Sequence, residues 1–122
     1  MTRSAAALLA LLVGAASTAS CTRQDSPPPP AQHIREVTLP DLSRMDTPVQ
    51  NQVRARYATV QELKQKGAGN AELSEAYGQY GIVLQAAEYY EAAETTYVNA
   101  QELAPTDLRW PYYLGHDSLI RD

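Results

Sequence analysis

The sequence predicts an all-α protein, and three features carry that reading. Val49, Val53, Tyr57, Val60 and Leu63 recur at spacings of three and four, the period of one apolar helix stripe. Residues 71–84 and 88–103 have no interior Pro and are rich in Ala, with Ala76, Ala92, Ala93 and Ala100 small enough to let facing helices approach closely. Between and after these segments stand helix breakers, Gly67-Ala68-Gly69-Asn70 and Pro105. Composition bounds what such a chain can do. Its 122 residues are 44% apolar and carry a formal net charge of −4, which argues against a sequence-independent grip on nucleic acid. One Cys and two isolated His predict no disulfide within the chain, no metal site and no cofactor. Tyr occurs eight times and Phe never, so aromatic packing must use rings with a polar tip.

Residues 1–20 have the form of an export signal: Arg3 in a short basic region, an apolar run from Ala5 to Ala16, then small residues from Ser17 to Ser20. A dozen apolar residues make a helix of roughly 18 Å, short of the about 30 Å hydrocarbon core. The following Thr18-Ala19-Ser20-Cys21 resembles a bacterial lipobox, with Thr18 where the motif usually has an aliphatic residue. The resemblance implies lipid attachment at Cys21 and a membrane contact through that lipid. Thr22 is not the Asp that marks inner-membrane retention in such lipoproteins. The expected location is therefore the bacterial cell envelope, at the periplasmic face of the outer membrane. A secreted or soluble periplasmic protein is the alternative.

Residues 21–45 contain the run Pro27 to Pro30 and read as a disordered spacer in the polyproline II conformation, with a ligand for an SH3-like domain as the lesser alternative. Residues 46–67 read as a helix. Thr47 is placed as its N-cap, Pro48 at its first position and Gln50 at its third. Arg54, Arg56, Lys64 and Lys66 outnumber Glu62 on its outer surface. The next two helices, 71–84 and 88–103, are joined by a very short turn, which with their small residues favours an antiparallel hairpin.

The hairpin resembles a tetratricopeptide (TPR) repeat. With Ser74 as the first residue of a 34-residue unit, Tyr77, Tyr80, Gly81 and Leu84 fall on the signature positions of the first helix, Ala93, Tyr97 and Ala100 on those of the second, and Pro105 closes the unit. In physical terms Gly81 and Ala93 allow helix contact, and Tyr97 fills the gap to the next unit. The repeat spans 71–106. A second one starts at 107–122, with Asp107 as cap, Pro111 in the first turn and Leu114-Gly115 lying 34 residues after Tyr80-Gly81, while Ser118 stands at an apolar position. The 46–67 helix is then an N-terminal cap of the solenoid. Leu39 to Met45 and Arg109 to Gly115 look like segments of exported bacterial TPR proteins of unassigned role. The partial second repeat leaves two expectations open: a truncated product of a longer TPR gene, or a short module whose last helix completes its core on another subunit.

The resemblance implies a concave binding face lined by the first helix of each unit. Carried over, it comprises Glu75, Gly78, Gln79, Ile82 and Gln85, then Arg109, Tyr112 and His116. Glu75, Gly78 and Ile82 do not supply the basic clamp by which co-chaperone members hold a C-terminal carboxylate. Residues 71–104 carry six Glu and no Lys, Arg or Asp, which points to a basic or neutral partner. Catalytic motifs are not expected. Cys21 has no neighbouring His, Ser74 and Ser118 have no base-bearing constellation, and Glu88, Glu91 and Glu94 suit the positive end of a helix. The expected role is non-catalytic binding of a protein or peptide of unknown identity. The alternatives are the N-terminal fragment of a larger exported TPR protein whose missing part carries the function, and a small-ligand binding protein.

Overall fold

The computed structural model describes residues 32–121, so the signal segment, Cys21 and the proline run lie outside the described residues. The fold is all-α. Four helices follow one another as α1 (Thr47–Lys66), α2 (Asn70–Ala86), α3 (Tyr90–Leu103) and α4 (Arg109–Arg121), and no strand occurs among the described residues.

Each helix boundary has a local cause. Asp46, rather than Thr47, is the N-cap of α1, with Pro48 in the first turn where no amide hydrogen is needed. Gly67 ends α1 at φ 66°, a left-handed position that suits Gly, and Lys64 and Lys66 sit at the negative end of the helix dipole. Gly69 caps α2, and Asn70 is its first helical residue. Helix α3 starts at Tyr90 and not at Glu88, because Glu88 itself takes φ 65° in the turn. That turn is closed by backbone bonds from Glu88 N to Gln85 O at 3.0 Å and from Tyr89 N to Leu84 O at 2.9 Å. Before α4, the Asp107 carboxylate accepts the Arg109 amide at 3.1 Å, the capping role expected of it.

Neighbouring helices run antiparallel, and their contacts set the register. Tyr57 of α1 lies 5.7 Å from Tyr80 of α2, ring centre to ring centre. Between α2 and α3, Ser74 reaches Ala100 while Gly81 meets Thr96 and Tyr97. Tyr97 of α3 stacks on Tyr113 of α4 at 5.4 Å with 9° between the ring planes. The core gathers along α2: Tyr77, Tyr80 and Leu84 from that helix, Ala93, Tyr97 and Ala100 from α3, Val53 and Val60 from α1, and Trp110 from α4.

The spacer expected through residue 45 is not one over its second part. Residues 32–42 cross the helices as an extended strap, with Val37 and Leu42 buried and Ile34 and Leu39 half-buried against the core. Its backbone is held at three places. The Asn99 side chain accepts the Arg35 amide at 2.8 Å and donates to the Arg35 carbonyl at 2.9 Å. The Tyr80 hydroxyl donates to Thr38 O at 3.2 Å, and the Tyr89 hydroxyl to Asp41 O at 2.7 Å. Four apolar side chains and satisfied backbone groups offset the entropy that a polar spacer would keep.

Candidate interaction surface

The residues expected to line a binding face lie on α2 and α4, and most of them are occupied with each other. Glu75 receives the Arg109 guanidinium at 2.7 Å and the Gln79 amide at 2.9 Å. Arg109 also pairs with Asp107 at 2.7 Å and lies 4.5 Å from the centre of the Trp110 ring. Its hydrogen bonds hold Glu75 and Asp107 below the usual carboxylate range and raise Arg109 itself. Gln85 bridges two helices, accepting the Tyr97 hydroxyl at 2.8 Å and sharing a hydrogen bond with His116 Nδ1 at 3.1 Å. Ile82 is half-buried against the core, and Gly78 is buried beneath the Trp110 ring. Of the expected set, Arg109, Tyr112 and His116 are exposed, and Tyr112, at 70%, makes no hydrogen bond to another residue of the set.

These contacts reveal a second relation between helices. The Trp110 indole donates to Ser74 Oγ at 3.0 Å, and Ser74 in turn donates to Ala100 O at 2.7 Å, a buried relay through α4, α2 and α3. The α2–α4 pairs Ser74–Trp110, Glu75–Arg109 and Gln85–His116 are separated by 36, 34 and 31 residues. Partners therefore advance in the same direction along both helices, so α4 runs parallel to α2.

The motif positions divide by burial. Tyr77, Tyr80, Leu84, Ala93, Tyr97 and Ala100 are all fully buried. A Cβ placed on Gly81 would lie 2.5 Å from Thr96 Oγ1 and 2.6 Å from the Tyr97 ring, so the close approach of α2 and α3 depends on that glycine. Pro105 is exposed in the turn after α3, and Leu114 is half-buried. Gly115 differs from Gly81: it is exposed, and a Cβ there would meet nothing within 4 Å. The tyrosine tips find partners at Tyr80, Tyr89 and Tyr97, while the Tyr77 hydroxyl is buried without one. Burial pushes the Tyr77, Tyr80 and Tyr97 phenols up.

The acidity of residues 71–104 is partly neutralised by α4. Besides the Arg109–Glu75 pair, Arg121 meets Glu94 at 2.8 Å and Glu91 at 3.9 Å. Among the described residues the α1 ion pair is internal, Lys66 with Glu62 at 2.5 Å, so the basic face of α1 stays outward. A groove of about 300 Å³ between α1 and α2 is lined by Arg56, Thr59, Leu63, Glu72, Ala76 and Gln79.

Three features had no counterpart in the sequence reading. Asn99 clamps the strap, Gly78 makes room for Trp110, and Asp117 is buried to 1% exposure with Oδ1 unpartnered. The visible signal for the first was the spacing of Ile34, Val37, Leu39 and Leu42 in a segment otherwise polar. The opposite side of α4 is open and apolar at Tyr112 and Leu119, and Leu108 just before the helix is exposed beside them, all three at least 70% exposed. Comparison of the chain with protein-family models, with curated proteins and with solved structures finds no match.

Proposed function

We propose that this chain is a non-catalytic protein–protein interaction module on a tetratricopeptide-type scaffold, tethered to a bacterial cell envelope through a lipid on Cys21. The observation that carries the scaffold reading is the parallel placement of α4 on α2, with Glu75 and Arg109 one 34-residue period apart. Stacked units of this kind bury one face and offer the next to a partner. Here the offered face is the apolar side of α4 around Tyr112. The test is a photo-reactive residue at Tyr112, or at Ala58 on exposed α1, in the cell that makes the protein. Adducts from position 112 and none from 58 are the expected result, and no adduct from 112 overturns the reading.

The same open face favours a second reading, in which a further helix of a longer exported chain packs there. Intact mass of the protein from the membrane fraction separates the two. Residues 21–122 plus acyl groups are expected. A heavier lipidated species supports the longer chain, and a mass without lipid removes the anchor while leaving the scaffold.

A further inference from the structure

The strap lies antiparallel to α3 along the whole length of that helix. Gln32 reaches Glu102 O at 3.4 Å, and Arg35 pairs with Asn99. Val37 and Thr38 lie beside Thr95 and Ala92, and Asp41 O meets the Tyr89 hydroxyl just before α3 begins. The chain therefore enters the domain at the end where α3 finishes and where α2 and α4 start. It crosses to the opposite end, turns through Leu42 and Met45, and begins α1 there. Gln32 and Thr47 thus sit at opposite ends of the helices, of which the 20-residue α1 is about 30 Å long.

This path decides how the domain hangs from an N-terminal anchor. Cys21 lies 11 residues before Gln32 and 26 before Thr47. At no more than ~3.6 Å per residue, the chain from Cys21 reaches at most about 40 Å to the docked strap, against about 90 Å to the start of α1. The strap is seated firmly enough to bear that role. Val37 and Leu42 are 6% and 2% exposed, and the Asn99 carboxamide, itself fully buried, engages both the amide and the carbonyl of Arg35.

We propose that the strap is a membrane mount, which moves the point of attachment from the start of α1 to the far end of the helices. The α1–α2 turn at Gly67 and the α3–α4 turn at Pro105 then face the bilayer, and the α2–α3 turn at Glu88 faces away from it. The proposal rests on the lipid at Cys21 and adds which end of the domain meets the membrane. Helix α4 stands with its last turn away from the bilayer, so its side around Tyr112 opens sideways and the lipid leaves it uncovered.

The test places one fluorophore near either end of α1, through Gln65→Cys or Asn51→Cys. Both positions are exposed. Their spacing puts them on nearly the same face, about 21 Å apart along the helix. The full chain is purified from the membrane fraction and reconstituted into phosphatidylcholine vesicles with an acceptor dye on the headgroups. These lipids carry no net charge, so attraction of side chains to the surface does not set the order. Energy transfer should be higher from position 65 than from position 51. Equal transfer, or more from position 51, overturns the proposal. Two insertions separate a mount from a spacer. About twelve Gly and Ser residues between Pro30 and Ala31 lengthen the leash and should lower both transfers, and no fall there overturns the proposal. The same insertion between exposed Ser43 and Arg44 follows the strap and should leave both transfers unchanged. A fall there shows that the strap belongs to the leash and also overturns it. Intact mass of the same preparation reads the anchor separately. A chain without lipid removes the tether and the mount with it, whereas a lipidated chain with equal transfers removes the mount alone.

Discussion

Gly81 holds α2 and α3 at a distance that no other residue allows. Adding one methyl group there drives a Cβ against Thr96 Oγ1, itself bonded to Ala93 O at 2.7 Å, and against the stacked Tyr97 ring. Gly81→Ala gains about 1 kcal/mol of helix propensity, but overpacking a tight core costs about 1–3 kcal/mol. The expected result is a lower urea midpoint, whereas Gly115→Ala, with open space around it, should raise the midpoint. Asp117 makes the opposite kind of residue-scale prediction. Burial pushes its carboxyl up, with Glu94 adding to the rise and Arg121 and His116 opposing it. A carboxyl that binds its proton more tightly folded than unfolded favours the fold at acid pH and loses that advantage as pH rises through the folded pKa. Asp117→Asn should therefore be the more stable protein at neutral pH, with the difference shrinking toward acid. Denaturant midpoints of both proteins across that range check it, and a wild type more stable at neutral pH would contradict it.

At the scale of elements the strap is where the structure departs most from expectation. A true spacer would tolerate truncation of its side chains, but Leu42 is 2% exposed. Leu42→Ala should cost about 2–5 kcal/mol, measured by chemical denaturation. Asn99→Ala leaves the Arg35 amide and carbonyl without their partner and should cost about 1–3 kcal/mol. It should also speed hydrogen exchange at Arg35 more than at α1 amides, which a general loss of stability would not do. The helices themselves were legible because stripe, alanine content and breakers agreed at Val53, Ala93 and Gly67. The start of α3 was not. Glu88 takes a left-handed position that usually calls for Gly or Asn, and nothing in its own chemistry announces it. The strap was obscured by proline, since the run from Pro27 to Pro30 colours the reading of apolar residues that follow it. The candidate face was legible only as a list of positions. Glu75, Arg109, Gln85 and His116 share the expected surface, but opposite charge and hydrogen-bonding reach turn them toward each other.

Taken as a whole molecule, four helices and a strap share one core, so thermal unfolding should be a single cooperative transition. Differential scanning calorimetry checks this: a calorimetric enthalpy equal to the van't Hoff value is expected, and a calorimetric enthalpy well above it would show that the strap or α4 unfolds on its own.

The docking of the strap also imposes an order in time. Arg35 leaves the ribosome early, yet the Asn99 side chain that holds it lies 64 residues later, and the tyrosines that hold Thr38 and Asp41 lie 42 and 48 residues later. Contacts so distant along the chain cannot form until the later helices exist, and closing such loops is slow. The earliest of these segments to be synthesised is thus the last to settle. A chain interrupted before Asn99 lacks the side chain that holds Arg35, and Val37 and Leu42 then have less of the core to cover.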